Sequence, residues 1–251
     1  KKDMRAIGQA LGARYLIDGS VRKEGNRVRI SAQLVQADSG VGVWTDSYDR
    51  ELTSVFATQE EIAKAIAGAL RVPLGLQQGD ILISNRTDDL ESYEQYLRAR
   101  SLYRARTITE AVGILESVVA HDPKYAPAWG LLAEVYVLVP FEPESGVRVF
   151  GGPVEEARGT VESSLDKSEM AAREAIRLDP RHAGGYTALA NVQSARKNWA
   201  AAEDLYRQAL KLDPSDPDAM QLYSQMLAAA GRLKQALSIR EKLRTLEPFV
   251  P

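Results

Sequence analysis

The sequence predicts a mainly α-helical chain, a solenoid of helix–turn–helix units preceded by a small, truncated α+β domain with an antiparallel three-stranded sheet. Three observations predict it. First, the dipeptides Asp122-Pro123, Asp179-Pro180, Asp213-Pro214 and Glu247-Pro248 each end an amphipathic stretch, and their prolines are 57, 34 and 34 residues apart. A period of 34 is that of a stacked helix-pair repeat, and the longer interval is one period plus 23 residues. Second, apolar residues between Tyr15 and Tyr48 alternate with a period of two, the mark of half-buried strands. Third, residues 72–91 carry chain breakers and no period, and read as a linker. The chain therefore divides into a partial domain at 1–71, the linker at 72–91 and four repeats over 92–251.

In chain order, Met4, Ile7 and Leu11 recur at helical spacing, and Gly12 follows as a stop. From Arg14 the period is two. Tyr15, Ile17, Gly19 and Val21 share one strand face, and Val28, Ile30, Ala32 and Leu34 do the same on the next strand. The hairpin between them is Lys23-Glu24-Gly25-Asn26-Arg27, where both Gly25 and Asn26 can adopt positive φ. Asp38-Ser39-Gly40 turns the chain into a third strand near Val41–Tyr48, and a helix carrying Val55, Phe56, Ile62, Ile66 and Leu70 follows. One sheet of three strands leaves edges with unpaired backbone groups, so this domain reads as incomplete.

Within the repeats, Trp129, Leu132, Ala133 and Tyr136 lie on one face of a first helix. Tyr186, Leu189 and Ala190 take those places in the next repeat, and Met220, Tyr223, Ser224 and Leu227 form the matching face of the last. Second helices carry Ala202, Tyr206 and Ala209 before Pro214, then Ala236 and Leu243 before Pro248. The first repeat is loose in its leading helix, but Ala111, Leu115, Val118 and Pro123 are in register. Small residues let antiparallel helices approach, large ones fill the groove between them, and proline stops each helix. The extra 23 residues lie around Leu138–Ser164. Pro140, Pro143, Gly146, Gly151, Gly152 and Pro153 there predict that part of it is a projecting loop, either a tolerated surface insertion or a flap over the groove or dimer contact.

These residues closely resemble the tetratricopeptide repeat over roughly 92–250, with Gln193 and Arg240 departing from the usual large or aromatic residues. The runs from Ile7 to Arg22, from Arg27 to Leu34 and from Val43 to Arg50 resemble the TolB-like domain found ahead of such repeats, over about residues 4–72. That resemblance implies an earlier strand and one or two helices ahead of the region seen here. It also implies a setting: the carboxy-terminal part of a bacterial signalling protein, such as a class III adenylate or guanylate cyclase, a membrane-anchored winged-helix regulator or a kinase.

Composition disfavours catalysis. The 251 residues include no cysteine and two histidines, with a formal charge of −2. Disulfides, thiolate metal sites and cysteine nucleophiles are excluded, and histidine chemistry has little to draw on. His121 and His182 sit at inter-repeat turns, where a histidine suits a helix C-terminus. Gly151-Gly152-Pro153 lacks the Lys-Ser/Thr of a phosphate loop, and no nucleophile elbow is present. Glu60-Glu61 and Glu155-Glu156 read as solvated helix faces, and Asp46 with Asp49 as the polar side of one strand. No catalytic residue, metal site or cofactor is expected. Arg22, Lys23, Arg27 and Arg29 near Trp44 and Tyr48 could suggest an RNA-binding sheet, but Glu24 interrupts the patch and residues 1–75 hold only 11 Lys/Arg against 9 Asp/Glu. No nucleic-acid partner is expected. Nor is a membrane span, since no run of about 18 apolar residues exists. The opening Lys1-Lys2-Asp3-Met4-Arg5 has no apolar stretch behind it, so no leader is expected either. The compartment is left open: cytoplasmic, or extracytoplasmic if a membrane helix precedes Lys1.

The expected function is a non-enzymatic interaction scaffold. In a solenoid the first helix of each pair lines the concave face. Register nominates Tyr96, Arg100 and Tyr103 in the first repeat, Glu134 and Leu138 in the second, Asn191 and Ser194 in the third, and Gln221 and Gln225 in the fourth. Amides there can bond an extended peptide and tyrosines can supply apolar contact. The resemblance also implies that a clamp for acidic carboxy-terminal tails would need Lys or Arg early in several first helices, yet Tyr186–Val192 and Met220–Leu227 contain none. The partner is a protein or peptide, or a second copy bound through the sheet edge or the insertion.

Overall fold

The computed structural model describes residues 3–51, 55–69, 87–142 and 153–246, in two compact units, 1–84 and 85–251. Residues 70–86 (most of the expected linker), Pro143, Gly146, Gly151, Gly152 and the final Glu247-Pro248 lie outside the described residues.

In the first unit, α1 (Met4–Leu11) is capped by Asp3, whose carboxylate accepts from the Arg5 and Ala6 N–H groups, and it ends at Gly12 with φ 60°. Strands β1 (Tyr15–Glu24), β2 (Arg27–Gln36) and β3 (Val41–Glu51) form an antiparallel sheet in that order. Only Gly25 takes positive φ at the first turn, so the hairpin has the pattern of a type II′ turn and Asn26 is not left-handed as the sequence allowed. Register sets Ile17 against Leu34, Val21 against Ile30, and Ile30 against Tyr48, so the alternating residues share one face. Helix α2 (Val55–Ala69) packs on β3 and β2. Val28, Ala32, Leu34 and Tyr48 are buried, whereas Ile17 and Val21 are 62% and 68% exposed. The β1 part of that face is therefore not core: α2 lies over the other two strands. Tyr48 is removed from any exposed aromatic platform, and Arg27 and Arg29 are held by Asp49 at 2.8 Å.

The second unit is four antiparallel helix pairs: α3 (Leu90–Arg104) with α4 (Ile108–His121), α5 (Ala126–Tyr136) with α6 (Val154–Leu178), α7 (Ala183–Ala195) with α8 (Trp199–Leu212), and α9 (Pro217–Ala229) with α10 (Leu233–Leu246). Close approach rests on small residues at repeated places. Ala99, Ala133, Ala190 and Ser224 on the first helices are spaced 34, 57 and 34 apart, and all are buried. Ala111, Ser168, Ala202 and Ala236 on the second helices are spaced 57, 34 and 34 and are buried too. The leading helix of the first repeat is thus in register at Ala99. Where serine replaces alanine, the Ser168 hydroxyl donates to the Ala133 carbonyl at 2.7 Å, which satisfies its buried oxygen. The turns inside three pairs each use one left-handed residue: Arg106, Lys197 and Gly231.

The insertion is not all loop. Val139–Phe141 is a short 3₁₀ turn, and from Val154 the chain is already the start of α6, a helix of 25 residues where α8 has 14. Its lower turns are fastened: the Ser164 hydroxyl donates to the Tyr136 carbonyl, and Arg196 from the α7–α8 turn reaches Glu162, Asp166 and Glu169. Glu203, one period after Glu169, receives Arg232 from the α9–α10 turn.

Candidate functional site

First helices α3, α5, α7 and α9, or the turns next to them, each contribute to one cavity of about 650 Å³. Its α3 wall carries Tyr96, Arg100, Tyr103 and Arg104, with Arg106 from the following turn. These project together because positions three, four and seven apart share a helix face. Asp89 starts α3, accepting from the Ser92 N–H at 2.6 Å. The Tyr96 ring meets Tyr125 edge-on with centroids 5.3 Å apart, so the tyrosine is positioned by the core beneath it. Burial raises the Tyr96 and Tyr103 phenols above their ordinary range, so both stay neutral hydrogen-bonding groups.

The α5 wall gives Pro127, Leu131 and Glu134. Glu134 is half-buried, and its carboxyl is held well above the usual carboxylate range, chiefly by desolvation, then by Asp218 and Asp216. Arg100 opposes the shift. The far wall is built at two helix starts. His182 is the first residue ahead of α7, and Asp216 is the N-cap of α9, accepting from the Asp218 and Ala219 N–H groups at 2.9 and 3.1 Å. Pro217 follows at the first helical position, where its missing N–H costs nothing. Asp213 and Asp218 complete this acidic wall.

Two glycines make room inside. A methyl on Gly130 would overlap the His182 imidazole, with Cδ2 2.9 Å away. One on Gly184 would sit 3.2 Å from His182 Nε2 and 3.3 Å from Glu134 Oε1, so the imidazole and the carboxylate converge over the same point. Burial lowers the His182 pKa, with Asp179 opposing, which favours the neutral ring.

Of the positions nominated from sequence, Tyr96, Arg100, Tyr103 and Glu134 come together on this cavity. Leu138 does not: it lies in the turn after α5 and packs against the core, because α5 ends at Tyr136, short of that position. Asn191, Ser194, Gln221 and Gln225 lie on α7 and α9 outside the cavity lining. His121 does end α4, and its Nε2 lies 3.7 Å from Asp89. His182 is a correction: it precedes a helix and faces the cavity, since the second turn of α5 has no side chain at Gly130 to exclude it. Sequence reasoning also missed Asp218. Pro127, Gly184 and Asp218 are spaced 57 and 34 apart, so one more column of the repeat would have found all three. Among the described residues, no three or more His, Asp or Glu side chains are grouped to hold a metal ion. No described helix is long and apolar enough to cross a membrane.

Two tetratricopeptide-repeat family models match, at residues 163–217 and 195–248. A thermophilic tetratricopeptide-repeat protein of Thermus thermophilus superimposes with a TM-score of 0.52 at 19% identity, covering 78% of this chain and 90% of that one. The TPR2B domain of yeast Sti1, solved as a complex with pHsp70, gives a TM-score of 0.41 at 18% identity, over 56% of this chain and 99% of its own. Among curated proteins, "Putative adenylate cyclase 3" of Rhizobium meliloti (strain 1021) is 32% identical over 204 residues. That match takes in 80% of this chain, which spans only 32% of the relative's length. The fold defines the class: the second unit is a helical solenoid like that of tetratricopeptide-repeat proteins.

Proposed function

We propose that this chain is a non-enzymatic interaction scaffold that holds an extended segment of a protein partner along α3, α5, α7 and α9. One observation carries the reading: residues from all four pairs meet at a single cavity of about 650 Å³ that mixes tyrosines with charged groups. Extended peptides are held in such surfaces by polar contacts to their backbone and by apolar anchors. Helix pairs packed on buried alanines present that surface preformed, so binding costs little ordering of the scaffold.

The test is selection of random dodecapeptides on the whole chain, followed by affinity measurement against two variants. Tyr103→Ala removes an anchor, and Gly184→Leu fills the cavity from α7. With helicity retained by circular dichroism, each should weaken enriched peptides about tenfold or more, the loss of one good contact. Peptides that bind both variants as well as the parent chain overturn the reading.

The wider setting rests on the relative. Its 204 matched residues exceed the length of the second unit (85–251), so the similarity reaches into the first. This supports reading the pair of units, with the first as a TolB-like domain, as the regulatory part of a cyclase-type signalling protein. The purified chain incubated with ATP and Mg²⁺ or Mn²⁺ should then form no cyclic nucleotide, and any product refutes the non-enzymatic reading. The uncovered β1 face, with Ile17 and Val21 exposed, favours self-association as a second role. A monomeric mass by light scattering over micromolar to millimolar concentrations would remove it.

A further inference from the structure

The charges around the groove are segregated. Arg100, Arg104 and Arg106 stand on the side of the first pair, and Glu134, Asp213, Asp216 and Asp218 on the side of α5 and α9. They also differ from several arginines elsewhere on this unit. Away from the groove, Arg173, Arg177 and Arg207 pair with Glu169, Glu174 and Glu203 at 2.6 Å. Arg196 and Arg232 bind carboxylates of the neighbouring helix pair. Among the described residues, the side chains of Arg100, Arg104, Arg106, Glu134 and Asp218 make no hydrogen bond or ion pair, although all five line one cavity. Glu134 is the most telling of them. Its carboxylate is half-buried, within reach of the cavity, and has no donor.

Given the binding role proposed above, on which this step rests, we infer that the segment held in the groove is dipolar. A lysine or arginine side chain lies against Glu134 and Asp218, and a carboxylate lies against Arg100 and Arg104. A half-buried carboxylate without a donor is costly, and an incoming ammonium or guanidinium relieves that cost. The opposite charges at the two ends make one direction of threading favourable and the reverse repulsive, which sets orientation as well as choice of partner. A purely acidic tail would gain at α3 and be repelled at Glu134, Asp216 and Asp218.

The dodecapeptide selection tests this when run in parallel on three full-length chains: the parent, Glu134→Gln/Asp218→Asn and Arg100→Gln/Arg104→Gln. Enriched peptides should combine a Lys or Arg with a separated Asp or Glu. Parent-selected peptides should bind each charge-neutralised variant about tenfold or more weakly, and fresh selection on those variants should lose the basic or the acidic preference respectively. Apolar or acid-only peptides that bind all three chains equally, yet fail on Gly184→Leu, would overturn the dipolar inference and leave the groove intact. Failure to enrich any peptide sensitive to Gly184→Leu would overturn both.

Discussion

Gly130→Ala is a small change with an opposed pair of consequences. In a helix interior, replacing glycine by alanine gains about 1 kcal/mol of helix propensity. Here the new methyl would overlap the His182 imidazole, with Cδ2 2.9 Å away. Overpacking costs about 1–3 kcal/mol, and because the ring borders an open cavity it should rotate aside at roughly 2 kcal/mol. The expected net effect is a destabilisation of about 1 kcal/mol, with the cavity occupied by the displaced ring. His182→Ala alone should cost about 1 kcal/mol, the usual scale for removing a half-buried side chain. Combined, the two changes should nearly cancel, since the methyl's three nearest neighbours, all atoms of the His182 ring, are then gone and the propensity gain is realised. The coupling is thus about 2 kcal/mol, expected only for residues in contact. Urea unfolding of the four chains at mildly alkaline pH, followed by far-UV circular dichroism, measures it. Gly130→Ala as stable as the parent, with effects that simply add, would refute the placement of His182 over Gly130.

Three further outcomes follow from the same structure. Burial depresses the His182 pKa below 6.5, so the unfolded chain binds its proton first; the ring's contribution is full above 6.5 and lost as pH falls towards the lower folded value. Glu134 has the opposite sign: its pKa is raised above 4.5, so its contribution is present below 4.5 and lost as pH rises through the folded value. Glu134→Gln should therefore raise the unfolding temperature at neutral pH, and His182→Gln should flatten the decline below 6.5, both read from melts across pH. Tyr206 is fully buried and stacks on Tyr223 with ring centroids 5.4 Å apart. Tyr206→Ala should cost about 3–5 kcal/mol by urea unfolding; a loss below about 1 kcal/mol would contradict that packing.

Much of the architecture was legible because a repeat states each requirement several times. Any one of Ala133, Ala190 or Ser224 is a weak signal, but a buried small residue recurring at one period is strong. The hairpin was legible for a local reason, since the Gly25 turn joins adjacent strands. Two details were left to distant contacts. Alternation put Ile17 and Val21 on one strand face, but burial requires something packed on it, and α2 covers β2 and β3 instead. Glycines and prolines around 138–164 predicted that part of the segment is a loop; residues 143–152 lie outside the described residues, and from Val154 the chain is α6, where Ser164 and the Arg196 cluster reward helical extension.

The groove divides the same way. Helical spacing alone brought Tyr96, Arg100 and Tyr103 to one face, and the repeat period placed Glu134 on the matching face of the next pair. Sequence by itself thus determined the helix pairs, their small-residue contacts and the groove face of α3, because those depend on local geometry and a repeated pattern. Tertiary structure alone decided that His182, 52 residues from Gly130, fills the space that glycine leaves, and that, among the described residues, arginines and carboxylates face one cavity without pairing with one another. Such facts depend on how far each pair is displaced on the last. That displacement is set by side-chain packing between pairs, which no periodicity along a single helix records.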